Sequence, residues 1–262
     1  MPTKQLQKMS NKNTIYGICR ICKEKKELTF EHIPPRSAFN KNSRFFVINS
    51  TEYYQNFEKY STKKLKPKSK IEQGGLGEHC LCEDCNNFLG SNYVREYKKF
   101  AKIAMSIIST CQENTKCFEL DISDINLLKF MKQVIAIFIC TNKPVFTDSY
   151  PGLIEFIENP NSGNFPERYR VYMYLNNEGQ VRNGTIHFTN THGAICDFTN
   201  PPFGFVLSID NPNRIKEVSE ITNFKYYNKL KDIKKLLIML NKYPSHYPFP
   251  LDFREINKKA AK

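Results

Sequence analysis

Two cysteine pairs, Cys19-x2-Cys22 and Cys82-x2-Cys85, set the strongest constraint on how this chain can fold. Two such pairs can close one tetrahedral zinc site with Zn–S bonds of about 2.3 Å, and a site closed by four thiolates keeps no open coordination position, so its metal is structural. Residues 19–22 and 82–85 must then meet although residues 23–81 lie between them. Glu31-His32-Ile33-Pro34-Pro35, after the first pair, and Asn86-Asn87, directly after the second, are not consumed by that site and are left for other chemistry.

The remaining cysteines fit this reading. Nine cysteines without a signal-peptide-like N-terminus argue for thiols and metal ligands, because a reducing compartment disfavours a disulfide framework. Cys111, Cys117, Cys140 and Cys196 have no companion at ligand spacing and read as small buried hydrophobes. His79 and Cys80 lie close enough to Cys82 to be rival ligands. The N-terminus MPTKQLQKMSNKN is polar, and no run of about 18 apolar residues occurs, so the expectation is a soluble cytoplasmic protein with no membrane span.

At 262 residues with 40% hydrophobic content, the chain admits one domain with extensions or two modest domains, and it can bury a core. Its net charge of +13 is unevenly spread. Residues 1–110 carry 20 basic against 10 acidic side chains, residues 111–225 carry 10 against 13, and residues 226–262 carry 9 against 3. The basic excess therefore accompanies the cysteine segment and the tail. Such a footprint suits a polyanion, since neutralising phosphates releases condensed counterions. A lysine-rich solvated surface accounts for the same count.

Taken in order, Thr14–Cys19 enters a short strand, Cys19–Lys26 forms a metal knuckle, and Leu28–Phe30 resumes an extended segment that ends at Glu31-His32. Pro34 and Pro35 forbid a helix and place His32 at a strand end. Residues 36–78 lose clear periodicity but contain a candidate strand at Phe45–Ile48 and a lysine run from Lys59 to Lys70. Lys63, Lys64, Lys66, Lys68 and Lys70 are candidates for phosphate contact, with a solvated loop as the alternative. Gln73–Gly77 is a hinge without the Lys and Ser/Thr of a phosphate-binding loop.

Glu83–Thr110 reads as helical with an interruption at Gly90-Ser91, and a second, broadly apolar helix spans Ser123–Cys140 with Ser123 as its N-cap. A short helix at 151–159 precedes strands at 168–175, 184–188, 194–198 and 203–209, with a turn at 176–179, which make a small antiparallel sheet. Tyr226–Leu240 is expected to be a last amphipathic helix. His187 and His192 fall on a strand and a turn, where packing explains them better than ligation.

Hydrolysis of a phosphodiester needs a base for water and a Lewis acid for the developing phosphorane charge. A histidine suits the first role, since its unperturbed pKa of about 6.5 leaves it largely neutral at pH 7. A carboxylate with an amide oxygen suits the second, because Mg²⁺ prefers hard oxygen ligands. Glu31, His32 and Asn86 supply these groups.

Thr29-Phe-Glu-His-Ile-Pro-Pro together with Leu81-Cys-Glu-Asp-Cys-Asn-Asn-Phe-Leu-Gly resembles the HNH endonuclease family, in particular its zinc-stapled members with two CxxC pairs and a ββα-metal core. The resemblance covers residues 15–100. It implies His32 as general base, Glu31 and Asn86 as ligands of a catalytic Mg²⁺ or Mn²⁺, with Asn87 able to replace or assist Asn86, and zinc on Cys19, Cys22, Cys82 and Cys85. Two departures stand out. The segment between the motifs is longer and richer in lysine than in compact members, and the family's central asparagine, which orients the base, has no assigned position among Asn40, Asn42 and Asn49.

The expected fold class is therefore α+β, with an N-terminal ββα-metal module in residues 1–110 and a helical, antiparallel β-rich accessory region in residues 111–262. The expected function is DNA endonuclease activity in restriction or anti-phage defence. A zinc-stabilised nucleic-acid-binding protein without catalysis is the alternative, and a protein-interaction module in which zinc is only a staple is a third reading. DNA is the expected partner; the oligomeric state is open, a homodimer among the options.

Overall fold

The computed structural model describes residues 14–41, 44–47, 56, 59, 70–111, 115–176, 182–183, 186–189, 193–216, 218–227 and 233–243. Lys63, Lys64, Lys66, Lys68, Asn42, Asn49, His192 and the turn at 177–179 lie outside these residues. Among the described residues, no helix is long and apolar enough to cross a membrane.

The chain is mixed helix and sheet. Its first part is built from small ribbons: β1 (Tyr16–Ile18) pairs with β2 (Lys25–Glu27) around the first CxxC, and β3 (Thr29–His32) follows. Next come β4 (Arg44–Val47), antiparallel to β5 (Lys70–Gln73), and β6 (Gly77–Leu81), antiparallel to β3. Helix α1 (Glu83–Asn92) starts with Cys82 as its N-cap, and α2 (Val94–Thr110) follows directly. Two-stranded ribbons are marginal alone. These depend on what they pack against and on what ties their ends.

The interruption expected at Gly90-Ser91 instead falls at Tyr93. Gly90 is exposed and tolerated within α1, whereas Tyr93 is fully buried and its hydroxyl donates to the Ile157 carbonyl, a tertiary contact that turns the chain there.

After β7 (Cys117–Asp121) comes the central helix, α3 (Leu127–Thr141). Its N-cap is Asn126, whose side chain accepts from Lys129 N at 3.0 Å, rather than Ser123. Ser123 is already engaged: its N–H and hydroxyl both donate to Asp121 Oδ1, at 2.9 and 2.6 Å. Almost every residue of α3 is buried, as expected of a helix apolar all round. Lys132 is buried with the rest; its ammonium donates to the Phe156 carbonyl and lies 3.6 Å from the centre of the Phe156 ring.

Short helices α4 (Pro144–Ser149) and α5 (Gly152–Glu158) lead to a seven-stranded sheet. Its strands are β8 (Tyr169–Asn176), β9 (Arg182–Asn183), β10 (His187–Thr189), β11 (Gly193–Asn200), β12 (Phe203–Ile209), β13 (Ser219–Glu220) and, beyond β14 (Lys235–Met239), β15 (Lys242–Tyr243). The path β10-β11-β12-β8-β13 is antiparallel throughout, and only β15 joins parallel, beside β8. Alternation along β8 sends Val171, Met173 and Leu175 into the main core, and Tyr172 and Tyr174 into a second cluster with Ile195, Val206, Ile215 and Val218.

The expected last helix at 226–240 is not formed over 235–239. A short 3₁₀ turn occupies Thr222–Tyr226, and β14 pairs antiparallel with β7. The run Lys-Leu-Leu-Ile-Met fits either period. Here pairing with β7 decides it: Leu236 and Ile238 face inward, while Lys235, Leu237 and Met239 face out.

One hydrophobic cluster joins both sides of residue 110, running from Cys19 to Leu240. At its centre Phe130 contacts Tyr97, Phe100, Phe203, Phe205 and Phe224, with ring centroids 4.5–6.2 Å apart. Phe130→Ala should therefore lower the unfolding free energy by about 3–5 kcal/mol. Urea unfolding followed by tyrosine fluorescence and by far-UV circular dichroism should shift together; separate transitions would contradict a shared core.

Candidate metal centre and strand-end site

The N-terminal ribbons place four sulfurs together. Cys19 and Cys22 lie on the turn between β1 and β2, Cys82 follows β6 directly as the N-cap of α1, and Cys85 is in the first turn of that helix. Backbone bonds fix the approach: Arg20 N donates to Cys80 O at 3.0 Å, and Lys23 N to Cys19 O at 3.0 Å. The Sγ atoms of Cys19, Cys22, Cys82 and Cys85 all lie within 4.8 Å of one another, with Cys22 and Cys82 3.8 Å apart. A tetrahedron with arms of about 2.3 Å has edges of about 3.8 Å, so these four sulfurs can hold a metal ion. Neither His79 nor Cys80 belongs to the cluster.

The cluster's chemistry already favours an anion. Hydrogen bonding from the Cys85 thiol and from the backbone of Cys82, Ile21 and Cys22 pulls the Cys19 thiol well below the usual cysteine range. Retention of the shared proton, chiefly against Cys19, pushes Cys85 up, and burial raises Cys22. Thiolate character is what a metal ligand needs.

The knuckle is docked rather than free. Arg20, inside the first CxxC and 7% exposed, donates to the Cys140 carbonyl at the end of α3 and pairs with Glu78 at 2.7 Å. Lys23 donates to Pro144 O at 2.8 Å and to the Thr147 hydroxyl, and pairs with Asp148 at 2.8 Å. Arg20 thus sits where the last carbonyls of α3 lack helical partners and the helix dipole is negative, while Lys23 holds α4. Nothing in the sequence pattern signalled Arg20, because an arginine within a knuckle has many uses.

Closure of the cluster brings α1 against β3. The Asn86 side-chain N–H donates to Thr29 Oγ1 at 2.9 Å, and Thr29 Oγ1 donates to Leu81 O at 3.0 Å. With its nitrogen so engaged, the Asn86 amide oxygen accepts no hydrogen bond among the described residues. Asn87 is exposed and makes no such contact with β3. Two residues beyond Thr29 is Glu31, which is 9% exposed, and burial alone raises its pKa to about 7.

His32 ends β3 half-exposed, on the face opposite Glu31. Its Nε2 lies 3.3 Å from the Gly74 carbonyl. A carbonyl only accepts, so Nε2 carries the hydrogen of this contact, and in the tautomer with a single ring proton Nδ1 is the acceptor. No hydrogen bond joins Glu31, His32 and Asn86 directly.

Asn40 braces this corner. It is 1% exposed, donates to Pro34 O and Leu76 O at 2.7 Å each, and accepts from Leu76 N at 2.7 Å. Ile33 N donates to the same Leu76 carbonyl at 2.8 Å, so the residue after His32 is tied to the clamp. Gly75, at φ +99°, fits between Asn40 and His32; a Cβ there would collide with the Asn40 carbonyl and come 3.1 Å from His32 Cδ2.

No protein-family model, no curated protein and no solved structure matches this chain.

Glu31 gives a stability test. Its folded pKa of about 7 lies above the unfolded value of about 4.3, so the folded state binds the proton more tightly. Its contribution is favourable at low pH and is lost as pH rises from about 4.3 through 7. Without added magnesium, Glu31→Gln should therefore stabilise the protein by up to about 3 kcal/mol at pH 8 and by much less at pH 5, measured by urea denaturation. Equal effects at both pH values would contradict the buried carboxyl.

Proposed function

We propose that this chain is a divalent-metal-dependent endonuclease of the HNH type acting on DNA. Zinc on Cys19, Cys22, Cys82 and Cys85 is its staple, and residues 15–100 are its ββα-metal module. One observation carries the reading: closing the four-sulfur cluster seats Asn86, one residue past Cys85, against the strand that ends in Glu31-His32. A pattern of two CxxC pairs thereby becomes an arrangement with a use beyond holding a fold.

In this reading Nδ1 of His32 takes the proton from the attacking water, and Nε2–H on the Gly74 carbonyl holds the ring in that tautomer. Asn40, through its clamp on Pro34 and Leu76, takes the orienting role of the family's central asparagine. The Glu31 carboxylate and the free amide oxygen of Asn86 are hard donors suited to Mg²⁺ or Mn²⁺, which would supply Lewis-acid stabilisation of the phosphorane charge. The lysines at 63, 64, 66, 68 and 70 would contact phosphates.

A second reading, a zinc-stabilised DNA-binding protein without catalysis, draws on the burial of Glu31 and the lack of a hydrogen bond between it and Asn86 or His32. Supercoiled plasmid with Mg²⁺ or Mn²⁺ separates the two. The wild type should nick it, and His32→Ala should slow nicking by about 10²–10⁴-fold. Undiminished nicking by the variant would remove His32 as base, and salt-sensitive binding without nicking would establish the second reading. The same preparations should carry about one zinc per chain, lost in Cys82→Ser together with much of the fold.

A further inference from the structure

The outer face of the β3–β6 ribbon carries an aromatic residue that the catalytic reading leaves unused. Phe30 is 41% exposed. It stands opposite His79 across the ribbon, and its ring meets His32 edge-on at 5.0 Å and His79 at 5.3 Å between centroids. Gly77 makes room for it: a Cβ at that position would come 2.6 Å from Phe30 Cε1. The phenyl ring is thus laid over glycine between two imidazoles, held in place while still open to solvent.

A second exposed ring and two cations lie on the segment that leaves His32. Phe39 is 47% exposed and adopts φ +66°, a left-handed conformation that a bulky side chain rarely takes. The Asn40 clamp holds the next residue and so maintains it. Arg36 and Lys41 are exposed, and among the described residues neither forms an ion pair. Aromatic faces interleaved with unpaired cations are the equipment for a single nucleic-acid strand: bases stack on the rings and phosphates meet the charges. A base inside a duplex has no free face to offer, because its neighbours cover both sides.

Resting on the endonuclease reading for the identity of the site, we propose that Phe30 is a base-stacking platform and that the strand presented to His32 is single-stranded DNA. Phe39 extends the platform, and Arg36 and Lys41 neutralise flanking phosphates. Phe30 is a specificity-determining residue and takes no part in proton transfer.

The test is binding of a fluorescein-labelled oligo-dT and of a duplex hairpin with the same number of phosphates. The zinc-loaded full chain is used without magnesium, followed by anisotropy. Wild type should prefer the single strand. Phe30→Leu, which still covers Gly77 but has no π-face, should bind the single strand about tenfold more weakly with no change on the hairpin, while Phe30→Tyr keeps wild-type affinity. Tighter binding of wild type to the hairpin, wild-type affinity in Phe30→Leu, or an equal loss in Phe30→Tyr would each overturn the proposal. Nicking of circular single-stranded DNA with Mg²⁺ or Mn²⁺ is scored separately. A Phe30→Leu defect without any nicking would keep the stacking platform and discard the endonuclease. Nicking with normal single-strand affinity in Phe30→Leu would do the reverse.

Discussion

Four sulfurs from two distant segments meet within 4.8 Å, and the N-terminal part of the structure depends on that meeting. The strands around it are short: β1 and β2 have 3 residues each and β3 has 4. Ribbons of that size do not hold themselves together in water. Bringing Cys22 to Cys82 also closes a long loop, whose entropic cost must be met by something stronger than a few backbone hydrogen bonds. A metal ion on four thiolates would meet it, because binding to ligands assembled only in the folded chain is itself folding free energy.

The staple positions the candidate site through rigid elements. Cys82 and Cys85 frame the start of α1, so the direction in which Asn86 leaves the helix is tied to the sulfurs, and its hydrogen bond to Thr29 fixes the helix against β3. From the other side, Arg20 and Lys23 fasten the knuckle to the end of α3 and to α4, both part of the core that contains Phe130 and the inner face of the large sheet. The core built on α3 is in this sense the base to which the N-terminal ribbons are fastened. Strand alternation then divides the labour at the end of β3: Glu31 turns inward, and His32 and Phe30 turn to solvent.

Features set by local pattern were legible in the sequence. The cysteine spacing, the extended run ending at His32 before two prolines, the broadly apolar α3 and the strands β8, β11 and β12 all follow from periodicity or from residues with one conformational use. What escaped was decided by tertiary contacts. The helix break sits at Tyr93 because its hydroxyl reaches Ile157, and the cap moved to Asn126 because Asp121 had already claimed Ser123. Lys235–Met239 became a strand because β7 was there to pair with it. Asn40 was one of three asparagines without an assigned part in the sequence; its contacts with Pro34 and Leu76 tie it to the segment after His32, while Asn42 and Asn49 lie outside the described residues.

If a metal-held cluster organises this module, the coordination shell of the bound metal is the most direct place to look. X-ray absorption at the zinc edge of the purified full-length chain should show four sulfur scatterers at about 2.3 Å and no nitrogen or oxygen in the first shell. A shell containing histidine nitrogen, or protein that folds fully with no metal bound, would contradict the account.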